Sequence, residues 1–495
     1  WIEYIDSDGV RKSIESNRGD WANYIKASVL KIQDNFTDKE LKGMDIVAYG
    51  DVPRGNGMSS SSTLVVSSGI SFLAVNDLTM DRRELVVCFG RGEWYVGTRG
   101  GFGDHGSMLF GKRGHILHSV FLAVEEMNPE YIPFPHDHQV VIINSYKTSS
   151  KSADRLFAYN QTMFGYSMAM TLIKDVLKDV GRYSDDLLNQ IYYLGQIKPE
   201  VFGLDGIYEI LRNLPQHISI SDLKARYTES EIEKRLDRFF GQLKRFPDSV
   251  DVRGPALWGI AESERSRKFA ELIKNGRIKD AGELMYIGHD GDRLFCFDGD
   301  GKHSEFVSNR VTDNYLDNLL ADLNSNDPEQ IKKAELAKQP GDYDASSHEL
   351  DMIVDIASHV EGVVGVSLTG AGFGGNILAI TEKDNRVLNN LKDALSREYY
   401  EPQKLEELRW FDNDHELQSA YGNDNELSDV RRKVRNIVQK KSKIEKDDLS
   451  FIESVQQRVN KLFKEGKISR ELLFITANYD DGIVVNVTVD NAEAL

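Results

Sequence analysis

Three short stretches hold residue types whose spacing could do chemistry. The first is Pro53-Arg54-Gly55-Asn56-Gly57-Met58-Ser59-Ser60-Ser61-Ser62. Gly55 and Gly57 allow backbone angles closed to other residues and let the chain come close to a ligand. The serines then open an apolar run over 64–78 that reads as a buried helix. The first N–H groups of a helix have no partner inside it, and the helix dipole makes that end positive, so such a start could hold a polyphosphate. A serine hydroxyl could add an oxygen ligand to Mg2+. The stretch lacks the Gly-Lys-Ser/Thr of the Walker pattern. On composition alone, a Gly/Ser loop of this kind is more often a linker or a turn.

The second stretch is Gly97-Thr98-Arg99-Gly100-Gly101-Phe102-Gly103-Asp104-His105-Gly106. Asp104 is a lone carboxylate among glycines. It could accept a hydroxyl proton or orient that hydroxyl for attack on phosphorus. An Asp in such a loop more often caps a helix or closes an Asx turn. The third is Thr369-Gly370-Ala371-Gly372-Phe373-Gly374-Gly375, set between two apolar strands. It suits tight backbone contact with a ligand, and suits equally a hairpin turn that needs positive φ. Other candidates are weaker. His115, His118, His136 and His138 lack Cys/His metal spacing and read as loop or surface residues. Cys88 lies on an apolar helix and reads as core. No Gly-x-Ser-x-Gly elbow is present.

These stretches need elements to hold them. Apolar residues recur at helical spacing over 21–32, and 44–49 reads as a strand ending at Gly50. A helix is expected over 81–88, with Asp81 as its N-cap and Glu84 three residues on. Residues 139–144 (QVVIIN) read as a strand, and 151–182 and 261–287 as long helices. A helix over 351–360 leads to strands at 363–368 and 376–380 that flank the third stretch. Residues 317–341 are polar and read as a loop-and-helix insertion. Charge then dominates 401–480, where 431–446 carries eight Lys/Arg against the single acid Glu445, and 482–490 (GIVVNVTVD) reads as a closing strand. The basic stretch reads as a solvated helical face with Val434, Ile437, Val438 and Ile444 inward.

The chain's 495 residues, at 56.0 kDa, are enough for two or three packed units. Hydrophobic residues at 40% and charged residues at 28% suit a globular protein. Lys+Arg is 61 against Asp+Glu 79, a net charge of −18, which argues against a nucleic-acid or anionic-membrane binder. Two cysteines exclude a disulfide scaffold and a multi-Cys metal site, and fit a cytoplasmic setting. No apolar run is long enough to span a membrane. The chain starts at Trp1 with no signal-peptide pattern. Nothing in the sequence specifies an oligomeric state.

Taken together, the three stretches resemble the GHMP small-molecule kinase superfamily, and within it the galactokinase-like branch. The first looks like the family's Pro-x-Gly-x-Gly-Leu-Ser-Ser-Ser motif, with Met58 for Leu. The third resembles Thr-Gly-Gly-Gly-Phe-Gly-Gly, with Ala371 at the second Gly. Gly101-Phe102-Gly103-Asp104-His105 resembles the Gly-Ile-Met-Asp-Gln loop that carries the catalytic aspartate. Weaker matches follow the family's order: Trp21-Ala22-Asn23-Tyr24, Tyr159-Asn160, Gly282-Glu283-Leu284-Met285 with His289, Tyr343-Asp344-Ala345-Ser346, and Glu349-Leu350-Asp351. The resemblance spans residues 21–380.

The resemblance implies an α+β, two-lobed GHMP kinase fold. A ribosomal-protein-like N-terminal lobe would take 1–135, with the phosphate loop and the catalytic Asp. A ferredoxin-like C-terminal lobe would take 136–400, and a charged helical extension with a closing strand 401–495. ATP and sugar would meet in the cleft between the lobes. Asp104 is implied as the catalytic residue facing the sugar hydroxyl. Gly55, Asn56, Gly57, Met58, Ser59, Ser60 and Ser61 are implied to wrap the ATP phosphates, with Ser61 also a Mg2+ ligand. The second glycine loop contributes Gly370, Gly372, Gly374 and Gly375. Gly101 and Tyr159 are implied sugar contacts beside Asp104. The family's other Mg2+ ligand is a glutamate shortly before the catalytic loop; that position holds Gly92, so its neighbour Glu93 is assigned, the alternative being a solvated carboxylate at a helix end. The implied activity is ATP- and Mg2+-dependent phosphorylation of a galactose-type sugar at its anomeric hydroxyl. The alternatives are a kinase for arabinose, a uronic acid, a heptose or N-acetylgalactosamine, or a non-catalytic sensor of sugar and ATP. The family's Arg-x-Asn-Leu-Ile-Gly-Glu-His-x-Asp-Tyr sugar signature is not found before Trp21, and is expected upstream of Trp1.

Overall fold

The computed structural model describes residues 1–17, 20–44, 46, 48–49, 52, 57–97, 100–119, 127–147, 153–181, 183–241, 243–297, 303–370, 372–403 and 474–475. They form two compact units. One gathers the described residues of 1–54 and 58–131 with those at 474–475; the other gathers Gly57 with the described residues of 132–403. The basic stretch, the 482–490 strand and nearly all of the charged 401–480 segment lie outside the described residues.

The main core of the first unit is carried by the helices Ala22–Asn35, Ser60–Val75, Arg82–Glu93 and Gly103–Phe110. Their inward apolar residues make one core, with Ile32, Val65, Phe72, Val86 and Phe89 all buried. The Asp81 carboxylate accepts the Arg83 N–H at 2.8 Å and caps the third helix as its position predicts, a contact worth about 1 kcal/mol. Cys88 is buried in this core, and burial pushes its thiol up to about 12, so it is an inert packing residue. Within the strand expected over 44–49, Ala48–Tyr49 pairs antiparallel with Phe474–Ile475, while Asp45 and Val47 lie outside the described residues.

The second unit centres on a three-stranded antiparallel sheet in the order His138–Asn144, Asn376–Glu382, Val363–Leu368. Asn376 faces Asn144 and Ile377 faces Leu368, so the third glycine stretch is the turn of a hairpin. Helices Ile278–Asp290 and His348–Ser358 pack on this sheet. A second, mainly helical core joins Ala153–Val180, Leu204–Arg212, Glu229–Phe240, Arg253–Lys274 and Asp313–Leu323. Buried Arg253 ties these pieces together through the carbonyls of Leu214 (3.0 Å) and Val311 (2.9 Å) and the carboxylate of Asp313 (2.7 Å). The helix expected over 261–287 is two helices: the first ends at Lys274 and the second begins at Ile278, parted where Gly276 takes φ 70°. Apolar periodicity runs straight through this break, which explains the single-helix reading. The polar 317–341 segment holds helical turns, Pro328–Lys333 among them.

An acidic loop with Asp342 and Asp344 precedes the His348–Ser358 helix of the second unit. Burial raises the Asp342 carboxyl to about 8, helped by the charges of Asp344 and Asp251 and a hydrogen bond with Asp344, against the pull of Arg310. The native state therefore holds a proton that the unfolded chain, with a pKa of about 3.9, releases. The contribution to stability is fullest at low pH and is lost as pH rises toward 8. Asp342→Asn removes the buried charge. It is expected to raise the melting temperature at pH 8 by a few degrees, from roughly 1 kcal/mol after solvent screening. Scanning calorimetry at pH 8 and pH 5 checks this; the gain should shrink at pH 5, and no gain at pH 8 refutes the assignment.

Candidate active site

The serine helix of the first unit begins in an unusual way. Ser59, its N-cap, takes the left-handed conformation (φ 54°, ψ 37°) and offers no side-chain cap. A non-glycine residue in this region is held there against about 1–2 kcal/mol. The Ser59 carbonyl accepts the Thr63 N–H at 2.9 Å and the Thr63 hydroxyl at 3.0 Å, which starts the helix. No side chain among the described residues caps the N–H groups that follow. Met58, Ser59, Ser60 and Ser61 are each half-buried at this end, whereas Gly55 and Asn56 lie outside the described residues. Such a start accepts an anion without any basic residue.

Glu93, the last residue of the Arg82–Glu93 helix, points to the same place. Its side chain is 13% exposed and accepts the Ser62 hydroxyl at 2.7 Å. The Nε2 of His105, itself buried, lies 3.0 Å from the same carboxylate oxygen. Burial pushes the Glu93 carboxyl up, but hydrogen bonding and charge from His105 and the hydroxyls of Ser62 and Ser61 outweigh it and hold the group below the usual carboxylate range. Glu93 is thus an enclosed carboxylate with two hydroxyls beside it, not a solvated one. Gly92 cannot take its place, because it packs against the neighbouring helix, where a Cβ would sit 3.0 Å from the Ala27 carbonyl. Ser61 and Glu93 together offer hard oxygen donors, which fit Mg2+. Among the described residues no three His, Cys, Asp or Glu gather into a possible metal site. The rest of an octahedral shell would come from phosphate oxygens and water, as is usual for this ion.

Asp104 sits in the first turn of the Gly103–Phe110 helix, whose N-cap is Phe102, so it is not the capping residue. Its side chain is exposed, while the next residue, His105, turns inward to Glu93. Phe102 stacks on Trp94 with ring centroids 6.0 Å apart, and the Trp94 indole N–H donates to the Gly100 carbonyl at 2.9 Å. These contacts fix the short helix against its neighbours, with Asp104 on the outer side. Gly101, two residues before this helix, is exposed. A free carboxylate, an enclosed carboxylate and an uncapped helix start are therefore held by adjoining helices of one unit.

The second unit contains the hairpin loop. Gly370, Gly372, Gly374 and Gly375 all adopt positive φ. At Gly372 the need is absolute, since a Cβ there would lie 2.0 Å from the Ala345 carbonyl. Phe373 donates its N–H to that carbonyl at 2.7 Å, and Gly375 donates to the Lys147 carbonyl at 2.8 Å. Gly370 abuts the Gly57 carbonyl. Tyr159, on the Ala153–Val180 helix, meets Phe373 edge-on with centroids 6.1 Å apart. The adjacent Asn160 instead donates to the Phe239 carbonyl and is part of the scaffold. Ser62, His105 and Phe373 are site residues that sequence reasoning did not single out. Each stood inside a quoted motif, but nothing in the spacing showed that one would face Glu93 or Tyr159.

Comparison with known proteins matches two family models. The GHMP kinases N terminal domain covers residues 23–112, and the GHMP kinases C terminal domain covers residues 316–401. A galactokinase from Chloroflexus aurantiacus is 22% identical over 387 residues, 78% of this chain and 72% of that protein. One from Schizosaccharomyces pombe is 23% identical over 435 residues, covering 81% and 75%. Among solved structures, the galactokinase of Lactococcus lactis complexed with galactose aligns with a TM-score of 0.45 at 18% identity, covering 78% of this chain and 72% of that one. No helix among the described residues is long and apolar enough to cross a membrane.

Proposed function

Because this chain belongs to the GHMP kinase superfamily, in its galactokinase-like branch, with the two-lobed α+β fold of that family, we propose that it transfers the terminal phosphoryl group of ATP to the anomeric hydroxyl of a galactose-type sugar. The observation that carries this reading is the grouping of Asp104, Glu93 and the open start of the serine helix on adjoining helices. Phosphoryl transfer needs alignment and charge neutralisation more than covalent catalysis. This unit supplies both.

The N–H groups after Ser59 take phosphate oxygens, with Gly55, Asn56, Gly57 and Met58 shaping the approach. The exposed Asp104 carboxylate accepts or aligns the proton of the sugar hydroxyl. As that oxygen bonds to the terminal phosphorus, the bond from phosphorus to the bridging oxygen breaks and ADP leaves with the pair of electrons. The proton passes to Asp104. Ser61 and Glu93 would hold Mg2+, whose charge offsets that of the phosphates. Gly101 of the first unit and, separately, Tyr159 of the second are assigned to the sugar, and Gly370, Gly372, Gly374 and Gly375 to the nucleotide.

A panel assay tests the reading. ADP release and product mass are measured with galactose, arabinose, a uronic acid, a heptose and N-acetylgalactosamine. Galactose is expected to give a phosphate that mild acid cleaves, as anomeric phosphates are cleaved. Nucleotide and sugar binding without turnover on any member would replace the kinase with a sensor. Turnover on another sugar alone would replace the substrate.

A further inference from the structure

The glycine turn is braced from below by a buried network that none of the chemistry above uses. Asp351, in the first turn of the His348–Ser358 helix, is wholly buried. One of its oxygens accepts the Ser346 hydroxyl at 2.5 Å and lies 3.1 Å from Nε2 of His289, which is also wholly buried. The other accepts the backbone N–H groups of Leu294 at 3.0 Å and Phe295 at 2.8 Å. Ser346 donates its N–H to the Asp292 carbonyl at 2.8 Å, and the N–H of Ala345 reaches the buried Asp292 carboxyl. The short 343–347 segment is therefore gripped on both its side-chain and main-chain groups. Its contact with the glycine turn is the Ala345 carbonyl, which accepts the Phe373 N–H and lies where only glycine fits at 372.

Both oxygens of the Asp351 carboxylate are hydrogen-bonded, and a buried carboxylate held in this way is fixed in place. Here the rigidity runs in one direction, from Asp351 to Ser346, to Ala345, to Phe373 and so to the turn that abuts Gly57. We propose that Asp351 and Ser346 are positioning residues for the nucleotide site, setting the height of the glycine turn; this rests on reading that turn as part of the ATP site. They touch neither substrate. Their effect reaches the turn through the Ala345 carbonyl and Phe373, whose ring also meets Tyr159, so it should fall more heavily on the nucleotide than on the sugar.

The test compares Ser346→Ala and Asp351→Asn in the full chain with Asp355→Asn as control. Asp355 lies on the same helix and holds the neighbouring strand, through the Phe297 N–H at 2.9 Å and Arg293 at 2.8 Å. All three variants are expected to lower the melting temperature. Only Ser346→Ala and Asp351→Asn should raise KM for ATP, by roughly tenfold for a misplacement of a fraction of an ångström, with a clearly smaller change in KM for galactose. Equal KM values for ATP in Ser346→Ala and the parent overturn the proposal, as do parallel rises for both substrates or the same rise in Asp355→Asn. If Asp351→Asn fails to fold, Ser346→Ala decides alone. Should the parent turn over no sugar, the kinase reading is lost, and equilibrium binding of a fluorescent ATP analogue decides instead. Weaker binding in Ser346→Ala then supports the positioning role and equal binding ends it.

Discussion

Asp104→Asn is expected to lower kcat by about 10²- to 10⁴-fold, the range for loss of a positioned acid–base group. Nucleotide affinity should stay within about twofold, since catalysis of this kind is lost in the transition state and not in binding. The two readouts separate because of where the residue sits. Asp104 is exposed in the first turn of its helix, and that helix is anchored by its neighbours, through His105 against Glu93 and Phe102 against Trp94. An amide at 104 changes the group offered to a sugar hydroxyl and leaves those anchors alone. Stability should therefore match the parent. Steady-state kinetics with ATP and galactose, beside a titration of nucleotide, make the measurement. Full turnover in Asp104→Asn would remove the catalytic assignment.

Glu93→Gln is expected to lower turnover by roughly 10²-fold and to move the Mg2+ requirement to higher concentration. Its origin differs from that at 104. The Glu93 carboxylate is enclosed, yet hydrogen bonds and charge keep it ionised more readily than an ordinary carboxyl. It is therefore a fixed negative charge beside two hydroxyls, at the positive end of a helix. The amide keeps its shape but loses the charge and one acceptor, and its NH2 would face the Ser62 hydroxyl and His105. Part of the loss should be recovered by excess Mg2+, because the Ser61 hydroxyl and the phosphates still supply oxygen. Activity titrated against Mg2+ at saturating ATP checks this. An unchanged Mg2+ dependence would leave Glu93 as a brace for His105 only.

What could be read from the sequence was local. The glycines at 57, 370 and 372 announce backbone that other residues cannot adopt, and the serine run after Met58 announces a helix start; both signals lie in adjacent residues. Asp81 before Arg82–Glu93 was legible for the same reason. The meeting of Ser62, Glu93 and His105 was not legible, because it depends on how three helices rotate about their axes. A rotation of one residue separates Glu93 from Gly92, and in the folded chain Gly92 packs on Ala27 while Glu93 meets Ser62 and His105. The helices of 183–252 escaped notice because they are short and carry no motif, although Ile207, Tyr208 and Leu211 bury as fully as any residue in the chain. The split at Gly276 escaped because a turn of one glycine leaves the apolar period almost intact. The buried His289–Asp351 pair could be matched as letters, but its role as a brace came from tertiary structure.

The left-handed Ser59 and the bare helix start behind it have a consequence for inherited variation. Donors that belong to the main chain are carried by every amino acid except proline, so exchanging side chains along this segment cannot delete them. Damage here has to work through shape: a ring that removes an amide, or a branched residue that refuses the bend at 59. Tolerance at Ser60 should accordingly be broad in chemistry and narrow in geometry, the reverse of the pattern at a site whose ligand is gripped by charged side chains.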